Sequence, residues 1–292
     1  MSDHKEAKSF SRFGYIMVAA GAAIGLGNIW KFPYLAYGDG GGAFVLIYIV
    51  ICILLGHPIV QAEQAVGRRG RASAAASYGV IHPKWRFVGV INIVCTFLID
   101  IYYLVVSGWV LKYFVTYVVS GDFGKDKQAY FDNYISSTTQ PLIHSLVIIA
   151  IIVFFLFFGI TNIVEKASKV IMPMLAVLLL VCGIYALIVV PGAVDGLKYY
   201  FVPDFSKFGM QQFADACMQV CFSVGIGWGI FTTLGASMDK DANLKADAWW
   251  VDICDTFIAL LAGFVIIPTV VGTGSEMSSG PSLVFVAMTQ IF

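Results

Sequence analysis

Apolar runs of bilayer length alternate with short polar stretches along the whole chain. The runs cover roughly 13–37, 41–66, 87–119, 141–160, 168–190, 210–237 and 246–272. A membrane-crossing helix needs about 20 residues, so the pattern predicts seven spans. Two runs are internally interrupted. In the first, Gly25 and Gly27 fall near the middle, and Asn28, Lys31 and Pro33 follow within two turns. In the sixth, Gln219 and Ser223 lead into Gly225, Gly227 and Gly229. Unwinding a helix in hydrocarbon strands backbone polar groups, so a break is tolerated only against protein or a wet cavity. There the freed carbonyls can bind a cation and the freed amides an anionic group. A single Gly-x-Gly can equally mark close packing between helices. A matched pair of interrupted helices points to a carrier site built between two repeats. Pro141 suits the first turn of its helix, and Pro173 predicts a bend in the fifth run. The stretch 277–292 is too short to span. It reads as an extracellular re-entrant or capping helix, or as the start of a helix that was cut.

Composition agrees with a multi-spanning membrane protein. The 292 residues are 59% hydrophobic and 12% charged, about half the charged content of a soluble domain. Net charge is zero, which leaves no nucleic-acid footprint. All six cysteines lie in apolar segments without zinc-ligand spacing, and read as packed thiols. His57, His82 and His144 lack metal-ligand spacing and no nucleophile–base motif appears, so an enzyme is not expected. The first run is too long and too interrupted for a cleavable signal peptide. With the N-terminus inside, cytoplasmic segments carry twelve basic residues, Arg12, Arg68 and Arg69 among them. External segments carry four: Lys125, Lys127, Lys198 and Lys207. Positive residues concentrate inside, so the N-terminus is expected in the cytoplasm, in a plasma or inner membrane.

The interrupted segments also carry a family resemblance. Gly25-Leu-Gly-Asn-Ile-Trp-Lys-Phe-Pro33, Gly40-Gly-Gly-Ala-Phe44, and Pro58 to Glu63 with Gly67-Arg68 resemble motifs of the neurotransmitter:sodium symporter family. Ile101-Tyr-Tyr103, Lys169-Val-Ile-Met-Pro173, Gln219 to Gly229 and Ala262-Gly263 follow in family order. The resemblance implies an all-α integral membrane bundle of the LeuT inverted-repeat type, with the first and sixth helices unwound at mid-membrane. It divides the chain into a cytoplasmic tail (1–12), a first five-helix repeat (13–190), an extracellular loop (191–209) and the start of a second repeat (210–292). The family has about twelve spans, so the chain reads as an N-terminal fragment or truncated product, not expected to transport alone.

Residue roles follow from the same resemblance. One sodium would be held by the Ala23 carbonyl, Asn28, Ser223 and Asp255, and a second by the carbonyls of Gly21 and Ile24. The substrate carboxylate would meet the Leu26 and Gly27 amides and the Tyr103 hydroxyl. Ile99, Phe222 and Trp228 would face its side chain, although Trp228 can also be read as packing on a neighbouring helix. Gly25 replaces the aspartate of monoamine members, so the substrate should bring its own carboxylate. Gly225 replaces a serine and makes room for a large side chain. Lys31, Gln219 and Phe222 would gate the outer side. Asp255, together with Ala259 one turn on, points to chloride-independent transport with a fixed counter-charge. A protonated carboxyl bonded to nearby backbone is the other reading of Asp255. The family's cytoplasmic latch is not recognisable in 5–12, where Lys5 or Lys8 with Phe10 would have to substitute. The expected function is sodium-coupled symport of a hydrophobic or aromatic amino acid by alternating access. Sodium, one ion or two, is the only cofactor expected. The bilayer is the other partner, and a homodimer is left open. The alternatives are a proton-coupled transporter of the same fold, with Asp100 or Asp255 titrating, and a non-transporting membrane sensor or subunit.

Overall fold

The computed structural model describes residues 10–157, 160–239, 241–277 and 280–290. Its ordered elements are helical. They run α1 (Arg12–Ala23), α2 (Phe32–Gly38), α3 (Gly42–Ile51), α4 (His57–Gly70), α5 (Ala74–Ile81), α6 (Arg86–Ser120) and α7 (Lys127–Ser136). Then follow α8 (Thr139–Phe157), α9 (Ile160–Val189), α10 (Ala193–Phe201), α11 (Met210–Val224), α12 (Ile230–Ala236) and α13 (Leu244–Thr273). Five helices are long and apolar enough to cross a membrane: 42–70, 83–120, 139–157, 163–189 and 244–273. The pair 12–23 and 27–38, bent by 60°, makes a sixth span. The remaining expected span, 210–237, is divided between α11 and α12. Pro173 lies inside one continuous α9.

Local chemistry explains the interruptions. Ser11 caps α1 by accepting the Gly14 amide (3.2 Å). The helix stops where Ile24 turns extended (φ −67°, ψ 114°). A π-helical turn, Gly27–Lys31, then leads into α2, with Pro33 in its first turn. A second π-turn, Cys52–Gly56, joins α3 to α4 without breaking the span. Between α11 and α12 the backbone of Gly225, Gly227 and Gly229 is left-handed, with φ of 75°, 80° and 71°. That conformation costs a side-chain-bearing residue roughly 1–2 kcal/mol, so alternate glycines write this break into the sequence.

The spans differ in burial. Two-thirds (67%) of the most apolar window of α13 is buried and half (50%) of that of 42–70, against 11%, 6% and 11% for α6, α8 and α9. The first two, with the broken pair, form the centre. The last three present apolar flanks outward, as lipid-facing helices do. Glycines set the closest approach. A Cβ on Gly67 of α4 would overlap the Thr232 carbonyl of α12, and one on Gly235 would lie 2.5 Å from the Gln64 carbonyl.

One end of the bundle is closed by polar and aromatic contacts. Gly41 bridges to Pro203, the Tyr199 hydroxyl donates to the Tyr37 carbonyl (2.5 Å), and the Tyr200 hydroxyl donates to the Leu260 carbonyl (3.0 Å). Residues 281–290 form short π and 3-10 turns that cap an aromatic cluster. Phe285 stacks on Phe131 (5.6 Å, 11°) and packs against Tyr113 (4.8 Å). Ser278, Ser279 and the last two residues lie outside the described residues.

The glycine contact gives a stability test. Gly67→Ala should lower the thermal midpoint in detergent, since overpacking a close contact costs typically about 1–3 kcal/mol. Gly38→Ala, where a Cβ would meet nothing within 4 Å, should leave it unchanged. Equal behaviour of the two variants would contradict the packing described.

Candidate functional site

The two breaks meet at a polar cluster in the centre of the bundle. Asn28, Ser223 and Asp255 are almost completely buried, at 0%, 1% and 0% exposure. The Asn28 amide nitrogen donates to Ser223 Oγ (2.9 Å), Asp255 Oδ1 (2.8 Å) and the Asp255 carbonyl (3.2 Å). Ser223 Oγ donates to Asp255 Oδ2 (2.9 Å). The Asn28 side-chain oxygen accepts the Gly25 amide (3.0 Å), closing a small loop over the first break. Three elements far apart in sequence thus converge: the first break, the end of α11 and the middle of α13. The expected sodium ligands Asn28, Ser223 and Asp255 are brought together. Ala23 is buried beside the break and Ile24 half-buried. Gly21 faces α9, where a Cβ would lie 3.1 Å from Met172 Sδ. Among the described residues, no backbone amide bonds the carbonyls of Gly21, Ala23 or Ile24.

The expected substrate residues line both sides of this cluster. The Tyr103 hydroxyl lies against the first break, where a Cβ on Gly25 would stand 3.1 Å from it. A side chain at position 25 would press on Tyr103, whose ring would have to give by a few tenths of an ångström. Gly27 lies against Phe222, whose ring a Cβ would meet at 2.8 Å, and Gln219 Nε2 donates to the Gly27 carbonyl (2.9 Å). Phe222 and Trp228 pack edge to face (5.5 Å, 78°), and Lys31 Nζ stands 4.4 Å from the Phe222 ring centre. A cavity of about 450 Å³ is bounded by Lys31, Phe222 and Trp228 with Cys217, Met218, Cys221 and Ile226. Ile99 lies half-buried one turn before Tyr103 and is not among the lining residues. Gly225 contributes more than room: its left-handed backbone starts the break, and a Cβ would meet Trp228 at an ordinary 3.6 Å.

The second break is held by side chains not singled out for it in the sequence. Glu63 Oε1 accepts the Gly227 amide (2.7 Å). The Asn92 amide, in the orientation that satisfies its surroundings, donates to the Gly227 carbonyl (2.9 Å). Thr96 Oγ1 donates to the Trp228 carbonyl. Asn92, Thr96, Ile99 and Tyr103 follow one another by four, three and four residues, which places them on one side of α6. That helix therefore serves both breaks. Polar residues at such spacing in an apolar span were the available signal. Asp100, by contrast, is exposed on α6. At the start of α1, Arg12 pairs with Asp247 (2.8 Å), while Ser11 donates to Glu165 (2.5 Å) and accepts from Lys169 (2.9 Å). Lys5 and Lys8, expected as substitutes for the latch, lie outside the described residues.

A membrane-embedded bundle with two interrupted helices closing on a buried oxygen-rich cluster has the architecture of an ion-coupled carrier. The sodium:neurotransmitter symporter family model matches residues 7–122 and 128–292. The chain belongs to this family. It is 33% identical to an uncharacterised sodium-dependent transporter of Haemophilus influenzae, aligned over 97% of this chain and 65% of that protein. It is likewise 33% identical to the uncharacterised sodium-dependent transporter YhdH of Bacillus subtilis, over 100% of this chain and 66% of that one. The crystal structure of MhsT in complex with L-phenylalanine superposes with a TM-score of 0.89 at 34% identity, covering 98% of this chain and 66% of that one. The chain thus spans slightly less than two-thirds of each of these proteins. Fold class and family agree with the sequence expectations.

The second break also predicts a separation of hydrogen bond from charge. Glu63→Gln keeps an oxygen for the Gly227 amide and should lower the thermal midpoint little. Glu63→Leu leaves that amide without a partner and should cost about 1–3 kcal/mol. Equal losses in both variants would show that the carboxylate charge, not the acceptor, matters.

Proposed function

We propose that the chain carries the ion and substrate site of a sodium-coupled symporter for a hydrophobic or aromatic amino acid, working by alternating access. The observation that carries this reading is the Asn28–Ser223–Asp255 cluster between the two breaks. Sodium is a hard cation that takes oxygen ligands, and every side chain of the cluster offers oxygen. The Asn28 oxygen accepts one bond and retains a second lone pair. Ser223 donates to Asp255, accepts from Asn28 and keeps one oxygen lone pair free. One ion would be held by these groups with the Ala23 carbonyl. A second would use the carbonyls of Gly21 and Ile24.

The substrate would place its carboxylate at the Leu26 and Gly27 amides and Tyr103, with the positive end of the dipole at a helix start helping. No acid at position 25 competes with it. Ile99, Phe222 and Trp228 would form the apolar wall, in keeping with the phenylalanine bound by MhsT. Lys31, Gln219 and Phe222 lie together beside the first break and would close over the site. Asp255, one turn before Ala259, would supply the negative charge beside a bound sodium, so coupling is proposed to need no chloride. The relatives' names support sodium dependence. We assign 13–190 to the first repeat, 191–209 to an external loop and 210–292 to the second repeat, with a cytoplasmic N-terminus in the cell membrane. In this scheme Arg12–Asp247 and the Ser11–Glu165–Lys169 contacts hold the cytoplasmic side shut.

The test is equilibrium binding of radiolabelled phenylalanine to purified protein in sodium or in potassium. Binding should require sodium, and Asp255→Ala should weaken the apparent sodium affinity by at least about tenfold, as expected for losing a charged ligand. Replacing chloride by gluconate should change nothing in the wild type. Binding equal in sodium and potassium would overturn the coupling. Loss of binding without chloride would overturn the counter-charge assignment alone.

A further inference from the structure

Three acidic side chains lie buried along α13: Asp247, Asp252 and Asp255. Their separation of eight residues is about 12 Å of helix rise, from the start of α1 to the candidate ion site. Each has a different partner. Asp247 meets the guanidinium of Arg12, a permanent charge. Asp255 meets Asn28 and Ser223. Asp252 meets His57, with Nδ1 and Oδ2 3.0 Å apart and side chains only 8% and 6% exposed. The other Asp252 oxygen, Oδ1, is buried and has no hydrogen-bond partner among the described residues. Trp249, one turn earlier on α13, stacks on the His57 ring (4.1 Å, 20°). His57 directly follows the π-turn Cys52–Gly56, a kind of irregularity that recurs at functional sites.

A buried carboxylate with a half-empty hydrogen-bond shell is costly unless a positive charge or a proton accompanies it. Imidazole is the side chain that gains and loses a proton near neutral pH. A protonated His57 would donate to Asp252 and lie over the face of Trp249, which favours a cation. We propose that His57 and Asp252 form a proton-binding site, one turn of α13 from the candidate sodium site, whose occupancy sets the sodium affinity. This rests on the sodium reading above.

The sign follows from charge. With its proton the pair is neutral overall, whichever atom carries it. Without the proton it is an additional negative charge one helical turn from Asp255, and a cation at Asp255 is favoured. Proton and sodium therefore oppose each other, and each lowers the other's affinity by the same factor. The surroundings add little that changes charge near neutrality. Lys245 is the cation whose field reaches His57. Cys52 of the π-turn and Tyr48 of α3 lie close by, and thiols and phenols stay neutral there. On α1, Arg12 is held by Asp247 and Tyr15 is a phenol. On α4, Glu63 is turned to Gly227, and α12 carries no titratable side chain. Asp255 is the one competing group, and the variants below separate it from the pair.

Sodium-22 affinity of the purified protein would be measured from pH 5.5 to 8.5. In the wild type it should rise about tenfold as pH passes through the imidazole range. In His57→Gln the profile should flatten to within twofold, and Asp252→Asn should do the same at lower affinity. A wild-type profile in His57→Gln would place the proton elsewhere and overturn the proposal. If that variant does not fold, calorimetry of the wild type at pH 7 in two buffers of different ionisation enthalpy decides. Release of a proton fraction on sodium binding supports the site, and none overturns it. Sodium binding indifferent to pH overturns this site alone, whereas no sodium binding at any pH overturns the sodium reading with it.

Discussion

An interrupted helix inside a bilayer leaves amides and carbonyls that hydrocarbon cannot satisfy, and the arrangement of this chain follows from that debt. The first break is closed by Asn28, which caps the Gly25 amide with its oxygen and reaches Ser223 and Asp255 with its nitrogen. The second is closed by Glu63, Asn92 and Thr96. What stays open is a set of carbonyls at the end of α1. In a water-poor site, carbonyls without donors are the natural place for a cation that arrives and leaves. The polar cluster that stabilises the breaks is thus the same one proposed to bind an ion.

The long helix α6 ties the two breaks together. Its Tyr103 meets the first, and its Asn92 and Thr96 meet the second, all from one side. Much of its remaining surface is apolar and exposed, as is that of α8 and α9. The inner helices α1, α4, α11, α12 and α13 approach one another through glycine contacts and short polar bonds. Gly67 lies directly against the Thr232 carbonyl, and Arg12 pairs with Asp247 across α1 and α13.

Legibility in the sequence followed the range of the interactions. The breaks could be read because glycine is a local signal: Gly25, Gly225, Gly227 and Gly229 stand in the interrupted backbone, while Gly27 opens the π-turn that follows the first break. The family motifs added which side chains gather there, and Asn28, Ser223 and Asp255 do meet. The partners of the second break could not be read so directly. The spacing of Asn92, Thr96 and Tyr103 marks one side of α6, but which break that side meets depends on how the helix packs, which is not encoded locally. Arg12 and Asp247 lie 235 residues apart, and their pairing depends on how α1 crosses α13. Gly225 was read both as part of the break and as room for a side chain, and its left-handed backbone makes the first the stronger requirement.

The central claim is that Asn28 and Asp255 act as one ion-binding unit across 227 residues of sequence. A double-mutant cycle on sodium-22 affinity tests it most directly, using Asn28→Ala, Asp255→Asn and the double variant. A shared site predicts strong non-additivity, with the double variant little worse than the poorer single one. Additive losses, or single variants that bind sodium like the wild type, would contradict a common site.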